Sequence, residues 1–175
     1  MSLRRYIDMM RPLKPSFFLL TILLIAAFGC SEKDDQPIKN TSVYTIYRAN
    51  YNPVSGEVKV TEIDPGVLEI KIALQNTDPA GNHPAHLHFG SVKEVGELAF
   101  ALNPVDGATG ISTTVLKEVQ LSNGDILTYD RFREMDGSIK IHMDDSYYKN
   151  MVLAFGNIGK NKEYLFGGVA ICTGH

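Results

Sequence analysis

Cysteine is scarce in this chain of 175 residues, with only Cys30 and Cys172 present. Two thiols cannot build the dense disulfide framework of many small secreted domains. The sequence also lacks a Cys-x-x-Cys pair, a phosphate-binding glycine loop and a Gly-x-Ser-x-Gly elbow. These absences argue against dithiol redox, nucleotide-dependent and serine-hydrolase functions.

Long apolar runs are equally scarce. The main one, from Phe17 to Phe28, has 12 residues, whereas a membrane-spanning helix needs roughly 20. Basic residues precede this run, small residues close it, and the segment that follows is polar. This order of residue types predicts a secretory signal over residues 1–29. The basic residues are Arg4, Arg5, Arg11 and Lys14.

The end of the signal, Ala27-Phe28-Gly29-Cys30, resembles a lipobox, in which the cysteine is acylated and becomes the first mature residue. The resemblance implies lipidation at Cys30 and a bacterial envelope lipoprotein that is anchored to a membrane, with the outer membrane or cell surface favoured. A single acyl chain binds membranes only marginally, so firm anchoring needs several chains. Two alternatives stay open: a cleaved secretory protein with an unrelated cysteine near the cut, and an uncleaved membrane anchor.

The chain that follows the signal is acidic and has the length of one domain. Removing residues 1–29 leaves 146 of the 175 residues, which is enough for a sizeable core. Four of the 17 basic and one of the 20 acidic residues lie in the signal, so 13 and 19 remain and the net charge is −6. This charge and the lack of a basic cluster argue against a nucleic-acid partner. Residues 30–41 are polar and predict a flexible tether, which leaves residues 42–175 as the domain.

Two-residue alternation of apolar and polar side chains dominates this domain. Such alternation is the period of a strand with one buried face. Turn-forming residues separate the runs, and helix signals are weak, with at most one helical turn expected at Asp144–Met151. Many short strands at this spacing predict an all-β sandwich or barrel. The predicted strands are residues 43–47, 57–63, 68–74, 85–89, 98–102, 111–116, 126–129, 138–142, 151–155 and 164–172.

The histidines carry the clearest chemical signal. In a strand, His86 and His88 project from one face and Leu87 from the other. His142 alternates with Ile141 in the same way, so a neighbouring strand would bring it to the first pair. Three imidazole ligands without thiolates suit copper(II) or zinc(II), and copper has the higher intrinsic affinity. The sequence therefore predicts a metal site at these three histidines, with copper favoured over zinc.

The segment Ala85-His86-Leu87-His88-Phe89-Gly90 resembles the His-x-His strand of the copper/zinc superoxide dismutases, whose two histidines are copper ligands. Taken with Ile139-Lys140-Ile141-His142, it is still more similar to the chordin-type (CHRD) domain. That family carries an Ala-His-x-His strand and a downstream strand with an Asn-Ile-His-like motif. The resemblance runs from about Tyr51 to Gly174 and implies a Greek-key sandwich or barrel of the superoxide dismutase-like type.

Several dismutase features are missing from the sequence. No histidine lies between Phe89 and Ile141, where bridging and zinc-ligand histidines would be needed, and Asp106 alone cannot build a zinc site. Val169 stands about where the dismutases place the arginine that guides superoxide. Cys172 lacks the cysteine partner of the family's disulfide. An intact copper/zinc dismutase is therefore not expected.

Three functions remain open on this basis. The first is a non-enzymatic envelope domain that binds copper through the three histidines. The second is an interaction module whose loops recognise a protein or glycan, with no bound metal. The third is a copper-only dismutase-like enzyme, which only a rate measurement separates from the first. Convergence of the three imidazoles to within about 4 Å would favour a metal, because ligand bonds to one ion are near 2 Å.

Overall fold

The computed structural model describes residues 39–94 and 96–162, and this part of the chain forms eight strands and one short helix. No helix in the described part is long and apolar enough to cross a membrane. The elements are β1 (Thr41–Arg48), β2 (Ser55–Asp64), β3 (Val67–Gln75), β4 (Asn82–Phe89), β5 (Leu98–Asp106), β6 (Ile111–Lys117), α1 (Tyr129–Glu134), β7 (Asp136–His142) and β8 (Val152–Gly159).

The strands form one closed antiparallel barrel in the order β1-β2-β3-β6-β5-β4-β7-β8. The barrel closes where β1 meets β8, with Tyr47 opposite Phe155 and Arg48 opposite Ala154. Two connections join strands that are not neighbours in the barrel. The chain passes from β3 to β4 across β6 and β5, and from β6 to β7 across β5 and β4. This Greek-key crossing confirms the predicted all-β class and makes β4 and β7 neighbours although about 50 residues separate them in the sequence.

The alternation seen in the sequence places one face of every strand inside the barrel. On β3 the residues Leu68, Ile70, Ile72 and Leu74 are buried, and on β4 Ala85 and Leu87 are fully buried. Burying a leucine or isoleucine side chain contributes about 1.5–3 kcal/mol, so the inward residues are a main source of the barrel's stability. Further inward residues are Ile46, Val58, Val60, Val105, Leu116, Ile139, Ile141, Ala154 and Ile158.

A helix closes one end of the barrel at a place where the sequence predicted a strand. The prediction of a strand at residues 126–129 is wrong, since only Ile126 forms an isolated bridge, to Gln120, and α1 begins at Tyr129. Thr128 caps the helix, and its side chain accepts a hydrogen bond from the backbone N–H of Arg131 at 3.2 Å. Phe132, one turn along, is fully buried and packs on the Tyr44 ring at a centroid distance of 5.8 Å.

Other boundaries differ by smaller amounts. The strand β1 begins at Thr41, inside the predicted tether, and β4 begins at Asn82 and so includes His83. Residues 144–151 form turns and bends instead of a helical turn. The predicted signal, Cys30, most of the tether and the last predicted strand, 164–172, lie outside the described residues.

Candidate metal centre

The three predicted ligands meet on the outer face of the barrel wall. Strands β4 and β7 pair antiparallel, with Ala85 opposite Ile141 and His86 opposite Lys140. Because Ala85 and Ile141 point into the core, their neighbours His86 and His142 point outward from adjacent strands. His88 lies one pleat along β4 on the same face. The register therefore unites a local pair of histidines with one that is distant in sequence.

The imidazole groups are close enough for one ion. One ring nitrogen from each of His86, His88 and His142 lies within 4.8 Å of the other two. Ring centroids are 4.8 Å apart for His86 and His142, and 5.9 Å apart for His86 and His88. Two ligands of one ion with bonds near 2 Å are at most roughly 4 Å apart, so the widest pair of ring nitrogens must close by about 1 Å or more for all three to bind one ion. These three histidines could hold a metal ion.

Burial differs among the three histidines. His88 is 0% exposed and His142 is 2% exposed, whereas His86 is only partly buried. An ion held here would therefore be reached past His86, while His88 and His142 form the enclosed side. Exclusion of water from that side strengthens the interaction between an ion and its ligands.

A backbone carbonyl fixes the orientation of His88. Its Nδ1 donates a hydrogen bond to the carbonyl oxygen of Gly96 at 3.2 Å, because a carbonyl can only accept. The neutral ring then presents the lone pair of Nε2, which is the form that a metal requires. Gly96 has a positive φ of 58°, and a Cβ there would collide with the carbonyl oxygen of Phe89. Glycine at residue 96 thus brings the carbonyl to the imidazole.

Hydrogen bonds hold the loop that follows β4 against the outer face of the barrel. Lys140 on β7 is fully buried, and its Nζ donates a hydrogen bond to the carbonyl oxygen of Glu94 at 3.1 Å. The backbone N–H of Val92 donates to Oδ1 of Asn157 on β8 at 2.8 Å. Val92 is fully buried in a small apolar cluster with Phe155, outside the main core. The loop therefore covers part of the outer face beside the histidines.

Sequence reasoning found the three histidines and missed the groups that support them. It gave no role to Lys140, Gly96 or Asn157. The sequence signal for Lys140 is weak, because a lysine between two isoleucines on a strand is usually solvated. Its burial depends on a loop that folds back across it. The loop–strand contacts that create the burial are not encoded in the two-residue period.

Burial lowers the pKa of His88 from 6.5 to about 4, and the positive charge of Lys140 acts in the same direction, while the Gly96 carbonyl opposes both. We expect the metal-free protein to lose stability as the pH falls from about 6.5 to about 4. In this window the unfolded chain protonates His88 and the folded chain does not, so added protons favour unfolding. Above this window His88 is neutral in both the folded and the unfolded state. The full shift corresponds to about 3 kcal/mol, and roughly 2 to 3 kcal/mol of it falls within this window, because the two titrations extend beyond its ends.

Urea unfolding in the presence of a chelator, repeated at pH values across this window, measures that loss. The matched variant is His88→Gln, which keeps a polar side chain of similar size but does not titrate. Across the window we expect the free energy of unfolding of the variant to fall by roughly 2 kcal/mol less than that of the parent. Equal slopes for the two proteins would show that His88 is not the group responsible.

His83 does not belong to the group of three, although it lies on the same strand. It shares the inward alternation of Ala85 and Leu87 and is 3% exposed. Its Nδ1 donates a hydrogen bond to the carbonyl oxygen of Met143 at 2.9 Å. The described part of the chain thus contains one histidine cluster and a separate, inward-facing histidine.

No protein-family model and no curated protein matches this chain. The assignment of a function therefore rests on the site itself. Two strands that are distant in sequence bring three histidines together, and a carbonyl of the loop after β4 orients one of them, His88.

Proposed function

We propose that this protein is a membrane-anchored envelope lipoprotein whose CHRD-like barrel binds copper through His86, His88 and His142 without catalysing a reaction. The observation that carries the metal-binding part is the approach of three ring nitrogens to within 4.8 Å. A nitrogen-only ligand set suits copper(II) and zinc(II), and copper(II) is bound more tightly by a given set of ligands. Such a domain would act in metal handling or protection at the cell surface.

The architecture around the histidines supports a resident ion. Two of the three ligands are enclosed, and one has its tautomer fixed by a backbone carbonyl. Metal-binding histidines commonly donate their second ring nitrogen in this way, which orients the ring and raises its basicity. The positive charge of buried Lys140 repels a dication. The affinity for copper therefore reflects a balance between attraction to the three histidines and repulsion by Lys140.

The envelope part of the proposal rests on the N-terminal sequence. A basic start, a 12-residue apolar run and the lipobox-like segment ending at Cys30 are the supporting features. Incorporation of labelled palmitate into the parent chain, and its loss in Cys30→Ser, tests this part separately from metal binding. Palmitate labelling that persists in Cys30→Ser would contradict it.

Calorimetric titration with copper(II) and zinc(II) tests the metal site. The protein for this experiment begins at Ser31, because the structural unit that contains the barrel begins at Ile38. We expect one equivalent of copper to bind, more tightly than zinc, and His86→Ala combined with His88→Ala to reduce the affinity at least about 100-fold. His83→Gln is the matched control, since it changes a histidine on the same strand outside the cluster.

The outcomes separate the three functions. Binding that the double substitution abolishes and His83→Gln preserves supports the site, and a superoxide-consumption assay on the copper-loaded protein then distinguishes a binding protein from an enzyme. Turnover in that assay would replace the non-enzymatic proposal with a copper-only dismutase-like activity. Copper affinity no higher in the parent than in the double variant would contradict the metal site and leave a protein- or glycan-recognition module as the alternative.

A further inference from the structure

Charge at the candidate metal centre comes from a neighbouring lysine and not from the histidines. The cluster of possible ligands that the described residues form consists of His86, His88 and His142, and it includes no aspartate, glutamate or cysteine. A metal-binding imidazole is neutral, so these ligands leave the charge of a bound ion uncompensated. Copper(II) would keep its two positive charges here, and copper(I) its single one.

Lys140 lies beside these histidines on the outer face of the barrel. It is directly opposite His86 in the pairing of β4 with β7, and such cross-strand neighbours have Cβ atoms about 4.5–5.5 Å apart on the same face. Its side chain is fully buried, with Nζ on the carbonyl oxygen of Glu94. Burial is the main cause of the low pKa of His88, and the positive charge of Lys140 lowers that pKa further. The charge of Lys140 therefore acts on the histidine cluster.

A buried positive charge of this kind disfavours copper(II) more than copper(I). Coulomb repulsion between Lys140 and the ion is proportional to the charge of the ion, so at one position it is about twice as large for copper(II). The cost of moving an ion out of water also increases steeply with its charge. His88 and His142 enclose one side of the centre, and both effects are strongest where water is excluded.

The number of ligands favours the same oxidation state. Imidazole binds copper well, but copper(II) prefers a square-planar or tetragonal arrangement, whereas this cluster supplies three nitrogens. Copper(I) has a filled d shell, as zinc(II) has, and such an ion imposes no geometry of its own. A further ligand from solvent has to approach past His86, the histidine that is partly exposed.

We propose that the centre of three histidines binds copper(I) more tightly than copper(II), and that buried Lys140 sets this preference. The inference rests on the proposed copper site and names the oxidation state that the site selects. It also separates copper(I) from zinc(II), because zinc carries the same double charge as copper(II). Since binding favours the reduced ion, the reduction potential of bound copper should lie above that of the aqueous copper couple.

Two affinities measured on the same protein test the proposal. The chain that begins at Ser31 is titrated with copper(I) without oxygen, in competition with bicinchoninate, and with copper(II) in competition with nitrilotriacetate. We expect the parent to bind copper(I) at least about tenfold more tightly than copper(II), which places the reduction potential about 59 mV or more above the aqueous couple. Voltammetry of the copper-loaded protein measures the same potential independently.

The variant Lys140→Gln isolates the effect of the charge. Its removal should lower the ratio of the copper(I) affinity to the copper(II) affinity about tenfold, and the reduction potential by about 59 mV. A disturbance of the loop that Lys140 holds at Glu94 changes both affinities together and leaves their ratio unaltered. Lys140→Arg keeps the charge, and Lys71→Gln removes an exposed lysine on β3. Both controls should keep the ratio within about twofold of the parent.

The outcomes separate this inference from the copper site itself. Copper(II) bound more tightly than copper(I), or a ratio in Lys140→Gln equal to that of the parent, would overturn the inference and leave the copper site intact. Binding of neither ion would remove the site and the inference together. If Lys140→Gln does not fold, Lys140→Leu replaces it, since leucine has no polar group to bury, and the parent's own ratio decides the oxidation state in either case.

Discussion

Copper(II) at a free concentration of about 1,000 times its dissociation constant should raise the free energy of unfolding by about 4 kcal/mol. The reason is that the proposed ligands come from β4 and β7, which are adjacent only in the folded barrel. An ion that binds the folded state and not the unfolded chain stabilises the folded state by mass action. Urea unfolding of the copper-loaded and the chelator-treated protein, at the same pH, measures this difference.

The variant His142→Ala tests whether the stabilisation depends on both strands. If removal of the His142 imidazole weakens copper binding about 100-fold, the same copper concentration raises the free energy of unfolding by only about 1.4 kcal/mol. His83→Gln is again the matched control and should retain the full effect. Copper stabilisation of equal size in the parent and in His142→Ala would show that the ion binds elsewhere, and the proposed site would then be wrong.

The second large effect is expected at the helix that closes the barrel. Phe132→Ala should lower the free energy of unfolding by about 3–5 kcal/mol. The side chain is fully buried, belongs to the main core and packs on the ring of Tyr44. Its removal takes away apolar burial and leaves a cavity between the helix and the strands. Chemical denaturation of the metal-free protein gives the value without a contribution from copper.

Tyr51→Ala is the control for this experiment, because it also removes an aromatic ring but from a fully exposed position. We expect its effect to stay within about 0.5 kcal/mol. A loss below about 1 kcal/mol in Phe132→Ala, close to that of the control, would mean that α1 is not part of the cooperative core.

The sequence determined the faces of the strands. Alternation on β3 and β4 is a property of the chain itself, because successive side chains of a strand must point to opposite sides. It therefore identified which residues enter the core, and it set His86 and His88 on one face before any partner strand was known. The all-β class followed from the same signal. The helix at Tyr129–Glu134 was missed because it is six residues long, too short for its period to stand out from a strand's.

The tertiary structure decided which strands are neighbours, and with them the site. His142 reaches His86 because the Greek-key crossing places β7 beside β4 in one particular register. A shift by one residue would turn His142 into the core and Ile141 outward. The burial of Lys140 and the carbonyl of Gly96 beside His88 likewise depend on a loop that packs against distant strands. The two-residue alternation fixes the side of a strand to which each side chain points. Strand pairing and loop packing involve residues that are distant in sequence, and these non-local contacts bring the groups of the site together.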